Sequence, residues 1–158
     1  MSLAPPGCDV QPSVVLLPAR IDDGAALAGI RARAMRPSLE AVGRYDAERV
    51  RHRFLDSFDP QYTRKVLVAD ALVGVVVVRP VDDHFLLDHL YMEPACQGAG
   101  IGSVVLGRVI QEARAAARLL RVGALKQSRS NHFYLRHGFT LESQGAWDNY
   151  YVLPPGAV

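Results

Sequence analysis

The first half of the chain mixes short apolar runs with segments of helical spacing, and this pattern predicts a strand, two helices and two more strands. Residues 14–17 form a short apolar run that is typical of a strand. Apolar side chains then recur every three or four positions up to about Met35, which predicts a helix. Asp22 or Asp23 can cap this helix, and Pro37 is expected to end it.

The second helix and the strands after it have strong local boundary signals. Asp46 is a favourable N-cap for a helix with a clear apolar face, and Pro60 closes that helix. Residues 64–69 and 72–78 are rich in strand-forming side chains and are separated by a tight turn at 70–71. This spacing predicts a β-hairpin.

The second half of the chain predicts a strand–helix–strand unit followed by a closing pair of strands. Residues 85–92 form a largely apolar strand, and 101–119 carry apolar side chains on one helical face. Residues 120–126 complete the unit as a strand. The closing antiparallel pair is expected at 139–143 and 147–153.

A glycine-rich stretch, 97–103, joins the strand to the helix of this unit and reads Gln-Gly-Ala-Gly-Ile-Gly-Ser. Glycines have no Cβ, so an anion can approach the unpaired N–H groups at the start of the helix, where the dipole adds about half a positive charge. The stretch therefore predicts a phosphate-binding loop. A dinucleotide fingerprint fails because Ser103 stands where Gly or Ala is required, and a Walker loop fails for lack of a lysine. The alternative is a tight turn without a ligand.

Composition and charge exclude several classes of protein. The 158 residues carry a net charge of +2, and the arginines between 31 and 64 are interleaved with acidic residues, so no nucleic-acid partner is expected. No apolar run is long enough for a membrane span, and no signal peptide is visible. Cys8 and Cys96 match no metal or redox spacing, which favours free thiols in the cytoplasm and no metal site. We expect a flexible segment at 1–12 and one domain at 13–158.

Two signatures about thirty residues apart carry a resemblance to the GCN5-related N-acetyltransferase (GNAT) superfamily. The first is Gln-x-x-Gly-x-Gly at 97–102, preceded by Leu-Tyr-Met-x-Pro at 90–94. The second is Phe-Tyr-x-x-x-Gly-Phe at 133–139. The resemblance implies an α/β (α+β) fold, with a mixed, mostly antiparallel sheet of six or seven strands flanked by helices. Acetyl-coenzyme A would lie where two parallel central strands part.

The same resemblance implies which residues contact the co-substrate. The loop would hold the pyrophosphate, and the backbone of the strand before it would hold the pantetheine arm. The family's asparagine near the pantetheine falls at 127 or 128, where this chain has Gln and Ser, and a later asparagine is a substitute. The implied cofactor-binding residues are Leu90, Tyr91, Met92, Gln97, Gly98, Ala99, Gly100, Ile101, Gly102, Ser103, Ser128 and Asn131.

Two residues are implied as catalytic. Tyr134 matches the family tyrosine beside the departing sulfur, where a phenol can protonate the coenzyme A thiolate. Asp88 matches a position that faces the acceptor amine, and Leu86 occupies the place where many relatives carry a glutamate base. His89 has a better intrinsic pKa for a base, but strand alternation directs it to the opposite face unless a bulge re-aims it. Asp88, His89 and a water chain thus remain alternatives.

The function implied by the resemblance is direct transfer of an acetyl group from acetyl-coenzyme A to a primary amine. Small polyamines, antibiotics, amino acids, peptide N-termini and protein lysines are all open as acceptors. A longer acyl group or a hydroxyl acceptor is a variant of this reading. The main alternative is a non-catalytic acyl-coenzyme A-binding or sensor module, which needs the loop and can dispense with Tyr134. The family often forms homodimers, so monomer and homodimer are both open.

Overall fold

A computed structural model describes residues 13–156, and the segment 1–12 that was expected to be flexible lies outside the described residues. This part of the chain contains seven strands and four helices, with short 3-10 turns between some of them. In chain order they are β1 Val14–Pro18, α1 Gly24–Ala41, α2 Ala47–Leu55, β2 Thr63–Val68, β3 Ala71–Val81, β4 His84–Met92, α3 Ile101–Ala115, β5 Leu119–Leu125, α4 Ser130–Arg136, β6 Thr140–Gln144 and β7 Asp148–Leu153.

The strands form one sheet in the order β1-β2-β3-β4-β5-β7-β6. Every neighbouring pair is antiparallel except β4 and β5, which run parallel because α3 crosses over between them. This topology confirms the predicted mixed, mostly antiparallel sheet.

β3 is buried on both faces, and its side chains show which helices cover each face. Val75 and Val77 pack with Leu27 of α1 and Phe54 of α2, while Val76 joins the apolar core built by α3. α4 packs into the same core as α3. The helices therefore form two layers, with α1 and α2 on one face of the sheet and α3 and α4 on the other.

The prediction that Pro37 ends the first helix is wrong, because Pro37 lies inside α1, which continues to Ala41. Leu39, in the turn after the proline, is buried against Ala32 and Val50. Proline removes one helical hydrogen bond, and the apolar burial of this last turn offsets that loss.

The two predicted helix caps have different outcomes. Asp46 caps α2 as predicted, accepting a hydrogen bond from the Arg49 backbone N–H at 3.2 Å. Asp23 precedes α1 but makes no capping hydrogen bond to it. Its carboxylate instead accepts from the Arg20 N–H at 2.7 Å and lies 3.1 Å from the Lys65 ammonium. The aspartate therefore ties the start of α1 to β2.

Two boundaries in the middle of the chain differ from the predicted ones by a few residues. The hairpin is confirmed, but its turn lies at Ala69 and Asp70, which have φ of 50° and 65°. α3 ends at Ala115 instead of running to 119, since Ala117 adopts a φ of 54° and reverses the chain. Both turns use left-handed residues that carry side chains, a geometry that glycine would have signalled more clearly.

The sheet contains a notch between its two parallel strands. β4 pairs with β5 only along His84–Leu87, opposite Leu119–Val122. β4 then continues to Met92, while β5 continues to pair with β7 as far as Leu125. The strands thus part after Leu87, and the loop that follows Met92 lies at the open end of the notch.

Candidate active site

The glycine loop presents a row of free backbone donors. Gly98 and Gly100 have φ of 84° and 81°, and a Cβ at either residue would meet nothing within 4 Å. Glycine is therefore required at both positions by the backbone conformation rather than by side-chain packing. Among residues 13–156, the six N–H groups from Gly98 to Ser103 donate to no protein acceptor. Gly100 is the N-cap of α3, so the row ends on the positive end of a helix.

Two contacts fix the loop against its surroundings. The Gln97 side-chain Nε2 donates to the Met92 carbonyl at 3.2 Å, which ties the loop to the end of β4. A Cβ on Gly102 would lie 3.5 Å from the Phe133 ring, so the first turn of α3 lies against α4. The donor row, the end of β4 and α4 therefore meet at the notch.

Tyr134 of α4 belongs to the apolar core that also contains Met92 of β4 and Ile101 of α3. Its side chain is 5% exposed and packs among the rings of Phe139 and Tyr151, at centroid distances of 5.4 and 6.2 Å. Burial raises the pKa of the Tyr134 phenol well above its usual value, and the nearby Tyr91 phenol adds to the rise. The phenol therefore keeps its proton throughout the physiological pH range.

The C-terminus of α4 has the geometry of a Schellman motif. Gly138 adopts a φ of 91°, and its N–H donates to Leu135 O while the Phe139 N–H donates to Tyr134 O, both at 3.1 Å. This cap fixes the end of α4 about one helical turn after Tyr134.

Asn131 is the centre of a hydrogen-bond network beneath α4. Its Nδ2 donates to Leu125 O at 3.0 Å and to Ser128 O at 2.9 Å. Its Oδ1 accepts from the Tyr151 hydroxyl at 2.7 Å and from Asn149 Nδ2 at 2.9 Å. The amide is thus occupied within the chain and anchors α4 to β5 and β7. Contacts of Ser128 and Asn131 with a co-substrate stay predictions.

A β-bulge in β4 changes which side chains share a face. Val77 pairs with His89 and Val78 pairs with Leu87, so Asp88 is the extra residue of the bulge. Asp88 Oδ2 lies 3.7 Å from His89 Nε2. The bulge re-aims His89, which alternation alone would direct to the face opposite Asp88, and both side chains lie on the side of α1 and α2.

The carboxylate of Asp88 is paired with an arginine that the sequence analysis did not single out. Arg79 Nε donates to Asp88 Oδ2 at 3.0 Å, and Arg79 Nη2 donates to Ser57 O at 2.5 Å. The arginine also lies over the Tyr62 ring, at 5.8 Å from its centroid. Asp88 Oδ1 makes no hydrogen bond within residues 13–156.

His89 is buried beside this ion pair, with 6% of its surface exposed. Its ring lies 5.0 Å from the Phe54 ring and 5.7 Å from the Tyr91 ring. Burial lowers the pKa of His89 to about 4. The negative charge of Asp88 raises this pKa, and the positive charges of nearby arginines lower it further. His89 is therefore neutral at pH 7.

The sequence that builds this site matches a known protein family. A family model described as an acetyltransferase (GNAT) domain matches residues 62–141, which is just over half of the chain. The chain belongs to the GNAT acetyltransferase family. The matched segment runs from the start of β2 into β6 and so contains the notch, the donor row, the β4 bulge and Tyr134. No curated protein sequence matches the chain.

Solved structures confirm the GNAT fold. The PaiA N-acetyltransferase of Thermoplasma acidophilum, solved in complex with coenzyme A, superposes with a TM-score of 0.75 at 14% identity over 90% of this chain and 99% of its own. An acetyltransferase of Thermus thermophilus gives 0.71 at 19% identity, covering 89% and 96%. The ribosomal-protein-S18-alanine N-acetyltransferase of Escherichia coli gives 0.68 at 14% identity, covering 92% and 96%.

Within this GNAT fold, one glycine that sequence reasoning missed allows β3 to lie close to the end of β4. A Cβ on Gly74 of β3 would lie 2.7 Å from Tyr91 O and would also overlap the Met92 side chain. Glycine inside an otherwise valine-rich strand, at 73–78, was the available signal for such a close approach.

Two negative findings complete the site. No helix in the described part of the chain is long and apolar enough to span a membrane. Within residues 13–156, no group of three or more histidine, cysteine, aspartate or glutamate side chains is arranged to hold a metal ion.

Proposed function

We propose that this GNAT protein transfers the acetyl group of acetyl-coenzyme A directly to a primary amine. The observation that carries the proposal is the row of six unbonded N–H groups, Gly98 to Ser103, at the start of α3, with the buried phenol of Tyr134 in the core that Ile101 of the same helix turn joins. An enzyme that uses acyl-coenzyme A needs an anion site, because the diphosphate anchors the co-substrate. It also needs a hydrogen-bond or proton donor near the sulfur of the co-substrate, because that sulfur leaves as an anion. Both elements lie on the matched segment of the family model.

The donor row supports binding of the pyrophosphate. Unbonded N–H groups at a helix N-terminus bind phosphate oxygens through hydrogen bonds and the helix dipole. The β4 backbone at Leu90 and Met92 lies beyond the pairing with β5, so we assign it the pantetheine arm and the thioester carbonyl. Ser103, in the first turn of α3, adds a hydroxyl donor to the same row. Acetyl-coenzyme A is a co-substrate in this proposal, and no metal takes part.

The chemical step has a clear proton balance. The free amine attacks the thioester carbonyl carbon, the C–S bond breaks, and the thiolate takes up a proton while the amine nitrogen loses one. Because the Tyr134 phenol stays protonated, it can donate a hydrogen bond to the leaving sulfur as the C–S bond breaks. Its raised pKa and the negative charge of the thiolate oppose full proton transfer, so the phenol stabilises the thiolate while the proton lost by the amine reaches the sulfur through solvent.

The amine must first lose the proton that makes it an ammonium ion. An alkyl ammonium with a pKa near 10.4 costs about 4–5 kcal/mol to deprotonate at pH 7. Asp88 is our candidate for accepting this proton, directly or through water, because its Oδ1 has no partner in the described chain. Its neighbour His89 is less accessible to an acceptor, because its side chain is 6% exposed and that of Asp88 is 31% exposed.

The experiment that tests the proposal is a panel of amines incubated with acetyl-coenzyme A and followed by thiol release. We expect at least one amine to be acetylated, with the product mass increased by one acetyl group. In the Tyr134→Phe variant, which keeps the ring and its packing, we expect kcat to fall by roughly 100-fold or more with little change in acetyl-coenzyme A affinity. Tight coenzyme A binding with no turnover of any amine would instead favour the non-catalytic binding module. Equal rates in both proteins would remove Tyr134 from the mechanism.

A further inference from the structure

One buried arginine on the α1 side of β4 has no counter-ion. Arg31 of α1 is 5% exposed, and its Nη1 donates to Val50 O at 2.6 Å. Its Nε is fully buried and has no hydrogen-bond partner among the described residues. Its Nη2 also lacks a partner there but is not one of the fully buried atoms, so this edge of the guanidinium keeps an opening.

Other arginines of α1 show what a satisfied guanidinium looks like in this protein. Arg33 donates from Nε and Nη2 to Glu93 Oε1, at 3.0 and 2.7 Å, and Arg36 pairs with Glu40 one turn along the helix. No carboxylate of residues 13–156 lies within 4.0 Å of Arg31. Burying a charge without a partner costs several kcal/mol, so the best buried of these arginines is also the one with the largest unmet demand for an anion.

The surroundings of Arg31 add further positive charge. His89, on the same side of the sheet, is influenced by the charges of Arg31, Arg53 and Arg79 and by a single carboxylate, Asp88. Asp88 is already paired with Arg79. The charges that act on His89 are therefore three arginines and one carboxylate, and of the two that lie closest to β4, Arg31 lacks an ion-pair partner in the described chain while Arg79 has one.

Tyr91 connects Arg31 to the notch. The Arg31 guanidinium lies over the Tyr91 ring, 5.7 Å from its centroid. The Tyr91 phenol in turn is close enough to Tyr134 to influence its titration. The unpaired guanidinium is thus one aromatic side chain away from the phenol that we assign to the leaving sulfur.

We propose that the acceptor is a small amine that also carries a carboxylate, as an amino acid does, and that Arg31 binds this carboxylate while the amine points to the notch. The inference rests on the proposed function for its reaction and extends it to a class of acceptor. A carboxylate satisfies the guanidinium with charge-assisted hydrogen bonds. The positive charges of the arginines near His89 disfavour polycationic acceptors such as polyamines, and they weaken the hold of a bound ammonium on its proton.

The kinetic test compares amino acids with the amines that remain when the carboxylate is removed. Phenylalanine with phenethylamine, lysine with cadaverine, and valine with isobutylamine are suitable pairs. We expect kcat/KM to favour the amino acid by roughly 10- to 100-fold in at least one pair, as one charge-assisted contact predicts. Arg31→Met should abolish this preference, and Arg31→Lys should restore part of it. Arg51→Met, on an exposed arginine of α2, is the matched control and should leave the preference unchanged.

A binding test separates this inference from the proposed function. Calorimetry with coenzyme A present compares N-acetylphenylalanine with N-acetylphenethylamine, and likewise for the other two pairs, so it needs no turnover. Tighter binding of the carboxylate in the wild type, lost in Arg31→Met, supports the inference even if no amine is acetylated. Turnover without carboxylate preference, equal binding within every pair, or an unchanged preference in Arg31→Met would overturn it. Thermal unfolding of each variant verifies that Arg31→Met, which removes a donor to Val50 O, is folded when assayed.

Discussion

The loop that follows β4 and the α1-facing side of β4 carry different kinds of chemical group. On the loop side, the binding groups are backbone N–H donors exposed by glycines at 98 and 100, and the structure needs only a turn and a helix to present them. On the α1 side, the chemistry lies in charged side chains brought together from α1, β3 and β4. The comparison teaches that the proposed co-substrate half of the site is local in sequence, while the proposed acceptor half depends on tertiary packing and one bulge.

The largest expected effect lies on the acceptor side and concerns acid stability. The pKa of His89 falls from an ordinary 6.5 to about 4 on folding, so the unfolded chain binds a proton more tightly than the folded one. The contribution of neutral His89 to the free energy of unfolding is fully present above pH 6.5 and decreases as the pH falls toward 4. The total loss is roughly 3 kcal/mol. Urea unfolding between pH 7 and 4 measures it, and His89→Gln should show a shallower decline. Parallel curves for the two proteins would mean that His89 titrates normally in the folded state.

The next prediction tests whether Asn131 has a structural role or contacts the co-substrate. Asn131→Ala removes the amide that satisfies the Tyr151 hydroxyl and the Leu125 carbonyl, and we expect a loss of about 2 kcal/mol in the free energy of unfolding. Coenzyme A affinity, measured at a temperature where the variant is folded, should change less than threefold, or about 0.7 kcal/mol. A large loss of affinity with unchanged stability would identify Asn131 as a direct co-substrate contact.

The smallest effect tests the loop side. Gly100→Ala forces a side chain into a left-handed conformation, which costs about 1–2 kcal/mol, and it places a methyl group beside the donor row. We expect coenzyme A affinity to fall about tenfold. Gly107→Ala, on α3 with nothing within 4 Å of its Cβ, is the matched control. It should leave the affinity unchanged and stabilise the helix by up to about 1 kcal/mol. If both variants bind coenzyme A like the wild type, the loop is a turn without a ligand.

The same contrast explains how much of the molecule could be predicted from the sequence. The glycine loop, the α2 cap at Asp46 and the glycine at 138 are local signals, since each is fixed by backbone geometry within a few residues. The bulge at Asp88 is set by the pairing of β3 with β4, and alternation alone gave the wrong face for His89. The continuation of α1 past Pro37 likewise depends on the packing of Leu39 against another helix.

Arg31 shows the same limit for function. In sequence it is one of several arginines in an acid-rich segment, which is typical of a solvated helix face. Only the fold reveals that it is buried, that its carboxylate neighbours pair elsewhere, and that it lies over Tyr91. Long-range burial of this kind has no local signature.

The most direct test of the central claim is an amide ¹H–¹⁵N NMR titration of the full chain with coenzyme A. If the donor row holds the diphosphate, the largest shifts fall on the amides of 98–103, with a second group at 90–92 along the open edge of β4. Titration with pantetheine, which lacks the diphosphate, should move only the second group. Coenzyme A shifts that leave 98–103 unchanged and map to another surface would contradict the account.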